Sequence, residues 1–205
     1  MDKLKVVVGR EKNIPKHIFN EVLKLRYQTY LEEGFIKSNK EKKDYDENDK
    51  HAVHFIALDG EKVVGTLRLI SGKLPLGSIY SKEIKELKEL KKCKNAVELS
   101  RFSVDEKYRL GTGGYETMKM LVSLNLVKKA VEYMTINNID LLLIVVHPKY
   151  EERYKKFYGL LRYGEEKSYS KVEGNPAVLM YVDYPGLAKF LDKFSENVPK
   201  LQLKS

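Results

Sequence analysis

Tryptophan is absent from this 205-residue chain, and cysteine occurs once. A lone thiol, Cys93, excludes an intrachain disulfide framework and leaves too few sulfur ligands for a zinc cage. Apolar runs stay well short of the roughly 20 residues that a membrane-spanning helix needs. The opening residues, Met1-Asp2-Lys3-Leu4-Lys5, lack the apolar core of a secretory leader, so cytoplasmic residence is the expectation. Histidine is scarce as well. His51, His54 and His147 have no metal-ligand spacing and His17 stands apart, so no metal is expected. Neither a helix-turn-helix, a zinc finger nor an RNP signature is present, which argues against nucleic acid as the partner.

What the chain does have is positive charge, formally +9, much of it in lysine runs from Lys82 to Lys94 and from Lys149 to Lys156. A basic face suits an anionic partner, whether nucleic acid, anionic lipid or an acidic carrier protein. A hydrophobic share of 42% is that of a folded chain, so wholesale disorder is excluded. With no internal repeat and no linker, residues 1–205 read as one domain with a final helix and tail from about 185 to 205.

Periodicity orders the rest. Residues 4–8 read as a strand, and Pro15 opens a helix whose apolar positions run from Phe19 to Leu31. Ser38 to Asp49 is a Lys- and Asp-rich loop with no apolar pattern and is expected to be mobile. His51–Leu58 and Lys62–Ile70 flank Asp59-Gly60 as a hairpin. A lysine-rich helix over 79–93 precedes a strand at 96–104. A glycine turn at 111–114 leads into a long helix to about 137, and 139–146 is a strand apolar on both faces. A short helix at 151–160 and strands at 168–172 and 178–182 complete the pattern. This order predicts an α/β fold, one mixed central sheet with helices on both faces.

The stretch Val97-Glu98-Leu99-Ser100-Arg101-Phe102-Ser103-Val104 puts an acid and a base on an apolar strand, where charge is costly. Strand alternation predicts Glu98, Ser100 and Phe102 on one face and Leu99, Arg101 and Ser103 on the other. Arg68, inside Leu67-Arg68-Leu69, needs a carboxylate partner; Glu98, Asp46 and Asp49 are the candidates, and Arg26 beside Tyr30 can join them. Tyr108 to Gly114 is a second candidate site. Gly111, Gly113 and Gly114 before a helix can expose backbone N–H groups to a phosphate, with Arg109 beside them, although no Walker lysine follows. His147 ends a buried strand before Pro148, either as a site residue or as a hydrogen-bonded strand terminus. Tyr154 and Tyr158 share a helix face, as site residues or as core aromatics.

Taken together, these segments resemble the GNAT N-acyltransferase superfamily, and more narrowly its branch of acyl-homoserine-lactone (autoinducer) synthases and N-acyl amino acid synthases. The residues that carry the resemblance are Leu25-Arg26, Asp46 to Ala52, Gly65-Thr66-Leu67-Arg68-Leu69-Ile70 and Val97 to Phe102. His147-Pro148, Tyr154 to Phe157 and Gly174 to Leu179 extend it over roughly residues 20–183. Two features depart from the pattern: the missing tryptophan, and Tyr108 where the superfamily's phosphate turn begins with a basic or amide residue. The resemblance implies transfer of a fatty acyl group from a thioester to the amine of an amino acid or related small amine. It assigns Glu98 as base and Tyr154 as the group that meets the departing thiolate. Arg26, Asp46, Asp49, Arg68 and Arg101 would order the site or hold the acceptor carboxylate, and the main chain at Phe102 to Val104 would receive the oxyanion. Met118, Met120, Leu121 and Leu142 would line an acyl tunnel or simply form core. No permanently bound cofactor is implied; the donor is the acyl-phosphopantetheine of an acidic acyl carrier protein or acyl-CoA, with Arg109, Gly111, Gly113 and Gly114 as its cradle. A lactone-forming synthase, an acetyl-CoA-dependent enzyme and a non-catalytic carrier-binding module are the alternatives.

Overall fold

The β-branched runs on either side of Asp59-Gly60 pair as expected and form the middle of a mixed sheet. A computed structural model describes residues 4–108, 116–183, 185, 186, 188, 189 and 192, with 116–121 described by backbone alone. Its elements run β1 (Lys5–Gly9), α1 (Lys16–Glu32), β2 (Val53–Asp59), β3 (Lys62–Ser71), α2 (Gly77–Leu90) and β4 (Ala96–Val104). They continue with α3 (Glu116–Ile136), β5 (Leu141–Val146), α4 (Glu151–Tyr158), β6 (Leu161–Arg162), β7 (Lys167–Tyr169) and β8 (Asn175–Asp183). The sheet order is β1-β2-β3-β4-β5-β8-β6, and β7 also pairs with β8. β4 and β5 are parallel; the other pairs are antiparallel.

Period-two alternation divides the core between the two faces. On β2, Phe55 and Ala57 turn toward α3, where Val122, Leu126, Ala130 and Met134 are buried. Ile56 and Leu58 turn the other way, onto Phe19, Val22 and Leu23 of α1. On β5, Leu142 and Ile144 join the α3 side, while Leu141 and Leu143 meet Tyr80 and Leu87 of α2. Each Val, Leu, Ile, Phe or Met among them contributes roughly 1.5–3 kcal/mol on burial. Gly65 lets α3 approach: a Cβ there would stand 2.7 Å from Val122 Cγ1 and 3.0 Å from Leu126 Cδ1.

Three expectations change. The loop before β2 is not a free polar segment, since Asp44 and Asp49 within it are buried. Ser170–Val172, expected as strand, is a 3-10 turn, because β7 breaks off at Tyr169. The two-residue β6 was not foreseen, as so short a segment carries no period. Of the expected C-terminal helix, only residues 185, 186, 188, 189 and 192 are among those described.

Candidate active site

An irregularity in β4 builds the site. Thr66 faces Ser103 and Arg68 faces Ser100, so Leu67 alone is opposed by both Arg101 and Phe102. This is a β-bulge, and Arg101 takes the left-handed conformation (φ 53°) that the extra residue requires. The bulge overturns the simple alternation. Phe102 and Val104 pack with Val97 and Leu99 on the α3 side, whereas Arg101 turns toward α1, on the side of Ser100, and meets Asp44 and Asp46. One inserted residue exchanges the faces of everything after it.

The parallel ladder between β4 and β5 ends at Glu98–Leu143, although β4 runs on to Val104 and β5 to Val146. Past that point the strands part, and a cavity of about 230 Å³ occupies the gap. Tyr30 of α1 lines one end and Tyr154 and Tyr158 of α4 the other, so the cavity passes through the sheet. Beyond Phe102 a void of about 20 Å³ continues among Leu99, Val127, Leu142 and Leu160.

Three arginines and three aspartates form the wall on the α1 side. Arg68 spends every guanidinium nitrogen: Nε donates to Ser100 Oγ (3.0 Å), Nη1 to Asp46 Oδ1 (2.8 Å) and Asp49 Oδ1 (2.6 Å), Nη2 to Asp46 Oδ2 (2.7 Å). Arg26 joins Asp44 (3.0 Å) to Asp49 (2.7 Å). Arg101 Nε lies 2.7 Å from Asp44 Oδ2 but is not aimed for a hydrogen bond, and its guanidinium sits 4.9 Å from the Tyr30 ring centre. Burial alone would raise the pKa of Asp46; the Arg68 hydrogen bonds and charge outweigh it and hold the carboxyl well below the usual range. Asp49 is likewise held low, burial being outweighed by Arg26 and Arg68. Of the residues expected here, Asp46, Arg68, Arg101, Phe102 and Val104 line the cavity. Arg26 and Asp49 do not; at 1% and 0% exposure they stand behind it. Asp44 was missed because its Lys-Lys-Asp-Tyr-Asp context reads as surface.

Glu98 lines the same cavity and pairs with none of those arginines. Its Oε2 accepts the backbone N–H of Leu76 at 2.8 Å, at the start of α2. Burial pushes its pKa up to about 7, against the lowering effects of that N–H and of the charges on Arg68, Lys171 and Arg101. It is thus an acid poised to exchange a proton near neutrality.

Tyr154 faces the cavity from α4, 5.6 Å from the Tyr158 ring, and burial raises its pKa. Both tyrosines also pack on the core, as the second of the two sequence readings expected. His147 lines the cavity, stacks on Phe35 (6.0 Å) and accepts the Lys149 N–H (3.2 Å), the hydrogen-bonded strand terminus of the second reading. Tyr108 donates to Asp59 Oδ2 at 2.6 Å, which pushes its pKa up to about 12. Arg109, Gly111, Gly113 and Gly114, and the side chains of Met118, Met120 and Leu121, lie outside the described residues. Lys171, which lines the cavity, carried no sequence signal beyond being one lysine among many.

The sequence model of the family described as N-acyl amino acid synthase FeeM matches residues 21–183. Among solved structures, FeeM, an N-acyl amino acid synthase from uncultured soil microbes, is similar with TM-score 0.71 and 21% identity over 94% of this chain and 98% of that one. The AHL synthase LasI gives 0.69 and 22% over 93% and 95%. BjaI, a CoA-dependent acyl-homoserine lactone synthase, gives 0.67 and 18% over 96% and 90%. A comparison with curated protein sequences finds no match. At these identities the structural likeness speaks for the fold; the family match speaks for descent.

Proposed function

Because the chain belongs to the N-acyl amino acid synthase FeeM family, a family of N-acyltransferases, we propose that it transfers a fatty acyl group from a carrier-protein or CoA thioester to the amine of an amino acid or related small amine. The observation that carries this reading is the position of Glu98, a buried carboxyl at the parting of β4 and β5 that lines the cavity and whose pKa burial pushes up to about 7.

In this proposal the acceptor amine enters on the α1 side and gives a proton to Glu98, directly or through water. The nitrogen attacks the thioester carbonyl carbon; the C–N bond forms as the C–O π pair moves to oxygen. Main chain of the bulged segment from Arg101 to Val104, which has no β5 partner among the described residues, receives the oxyanion. Collapse breaks the C–S bond; Tyr154, whose phenol burial keeps protonated, hands its hydroxyl proton to the thiolate and is reprotonated through water by the proton that Glu98 took from the amine, which restores both groups. Leu99, Phe102 and the void beyond them receive the start of the acyl tail. The aspartate–arginine wall holds β3, β4 and the loop before β2 in register, so the base is pre-positioned. Arg109 with Gly111, Gly113 and Gly114 remains the proposed cradle for the pantetheine phosphate, on the strength of the sequence pattern. The basic charge that includes Arg153, Lys155 and Lys156 of α4 would draw in an acidic carrier protein.

Incubation with decanoyl carrier protein or decanoyl-CoA and a mixture of the amino acids, followed by mass analysis, is expected to yield N-decanoyl amides with release of free thiol. Release of thiol without amide would refute the reading, and a lactone formed from S-adenosylmethionine would replace it.

A further inference from the structure

Five tyrosines line the cavity: Tyr30, Tyr150, Tyr154, Tyr158 and Tyr169. Three of them spend their hydroxyls on protein: Tyr150 donates to Glu33 Oε2, Tyr158 meets Ser123 and Tyr169 meets Ser78. The hydroxyls of Tyr30 and Tyr154 have no hydrogen-bond partner among the described residues, and neither oxygen is sealed within the wall. Tyr154 already has a task at the departing thiol. The Tyr30 phenol is the one that the proposed transfer leaves unused.

Tyr30 is held against the bulge. It comes from the last turns of α1, with its ring edge-on to Phe35 (5.8 Å between centres) and beneath the guanidinium of Arg101 (4.9 Å). Arg101 is itself in the bulge, so the phenol is fixed beside the segment whose main chain, from Arg101 to Val104, has no β5 partner among the described residues. The ionisation of Tyr154 feels Tyr30, so the Tyr30 hydroxyl lies between the bulge and the thiol end. Burial outweighs the charges of Arg101, Arg26 and Arg68 and raises the pKa of Tyr30; the phenol stays protonated and serves as a donor, not as a base. Arg101 does not compete for this part. Its Nε has no hydrogen-bond partner but is sealed within the wall, 2.7 Å from Asp44 Oδ2.

We propose that the Tyr30 hydroxyl is a side-chain donor of the oxyanion hole, giving a hydrogen bond to the thioester carbonyl oxygen beside the main chain from Arg101 to Val104. That bond strengthens as the oxygen takes up the negative charge of the tetrahedral intermediate. The inference rests on the acyl-transfer reading above and adds a catalytic residue to it. Tyr30 keeps its proton throughout, so the proton exchange among amine, Glu98, Tyr154 and thiol is unchanged. Because the interaction is strongest in the transition state, its loss is read in kcat rather than in KM.

Tyr30→Phe keeps the ring on Arg101 and Phe35 and removes only the hydroxyl. With decanoyl carrier protein or decanoyl-CoA and the best amino-acid acceptor, this variant is expected to lower kcat at least about tenfold while KM moves less than about threefold. Two unreactive analogues of decanoyl-pantetheine separate this role from a structural one. The α,α-difluoroketone, present as its hydrate, carries oxygen on a tetrahedral carbon in place of the thioester carbonyl; the matching thioether, with CH2 in that position, carries none. Tyr30→Phe should weaken binding of the first about tenfold, as loss of one hydrogen bond does, and leave the second unchanged. Equal weakening of the two analogues, or a kcat within about twofold of wild type, would overturn the inference while leaving acyl transfer standing. Absence of amide from the wild type would instead sink the acyl-transfer reading itself, and the inference with it.

Discussion

Arg68 and Asp46 meet as a two-pronged pair in the cavity wall, Nη1 to Oδ1 at 2.8 Å and Nη2 to Oδ2 at 2.7 Å. The same Nη1 reaches past that pair to Asp49 Oδ1 at 2.6 Å, so a half-buried carboxylate and a wholly buried one share a single guanidinium. The pair is both wall and hinge pin of the site, since Asp46 and Asp49 also close the turn before β2 on each other's backbone.

Asp49 should therefore be the most sensitive position for stability. Asp49→Ala leaves Arg26 and Arg68 facing each other in a dry environment, and about 3–5 kcal/mol of unfolding free energy is the expected loss in urea. A loss below about 1 kcal/mol would mean the network is not holding the wall. Because Asp46 and Asp49 have depressed pKa values, their contribution is present at neutral pH and declines as pH falls below about 4.

If Glu98 is the base of the proposed transfer, it sets the pH profile. As the base, it must be ionised, so kcat/KM is expected to climb through an apparent pKa of about 7 before the acceptor amine's own titration. Glu98→Gln should remove that limb and lower the rate by about 100-fold or more. Retention of the limb in the variant would assign it to another group.

The same residue has the opposite effect on stability. Its pKa is raised from 4.5 to about 7 on folding, so the folded state gives up its proton later than the unfolded one. Stability is then full below about 4.5 and is lost as pH rises through 7, by about 3 kcal/mol in all. Glu98→Gln should match wild type at pH 4 and exceed it at pH 8 in urea unfolding. Equal midpoints at pH 8 would show that the carboxylate is better solvated than its burial implies.

Arg101 offers a test of the bulge that is separate from its charge. Its φ of 53° costs any side chain about 1 kcal/mol that glycine does not pay. Arg101→Gly and Arg101→Ala lose the same ion pairs, so glycine should be the more stable by about that amount. Alanine equal to or better than glycine would mean the bulge relaxes.

Salt separates the two donors. If basic charge near α4 steers an acidic carrier protein, transfer from decanoyl carrier protein should slow steeply between about 0.05 and 0.5 M salt, over which the screening length falls roughly threefold, while transfer from decanoyl-CoA slows less. An equal decline for both would remove the steering idea.

Much of the site was legible along the chain. Glu98, Arg68, Asp46 and Tyr154 stood out because charge and hydroxyl interrupt apolar, periodic segments, and all four line one cavity. The partner of Arg68 was left open between three acids, and no local rule separates them: Asp46 and Asp49 win because the loop before β2 folds over β3, while Glu98 is claimed by the Leu76 N–H. Asp44 and Lys171 were invisible for the opposite reason, each lying among like residues on stretches that read as solvent-facing.

Helices, hairpin and the mixed sheet were present in the residue order, since hydrophobic periodicity and turn chemistry act over a few neighbours and survive any tertiary arrangement. The facing of Arg101 and Phe102 was not. It depends on one residue too many in β4 measured against β3, a quantity that exists only once two strands are paired. The cavity likewise belongs to the folded chain: past Glu98 the bulged β4 follows β3 while β5 follows β8, and the two strands diverge.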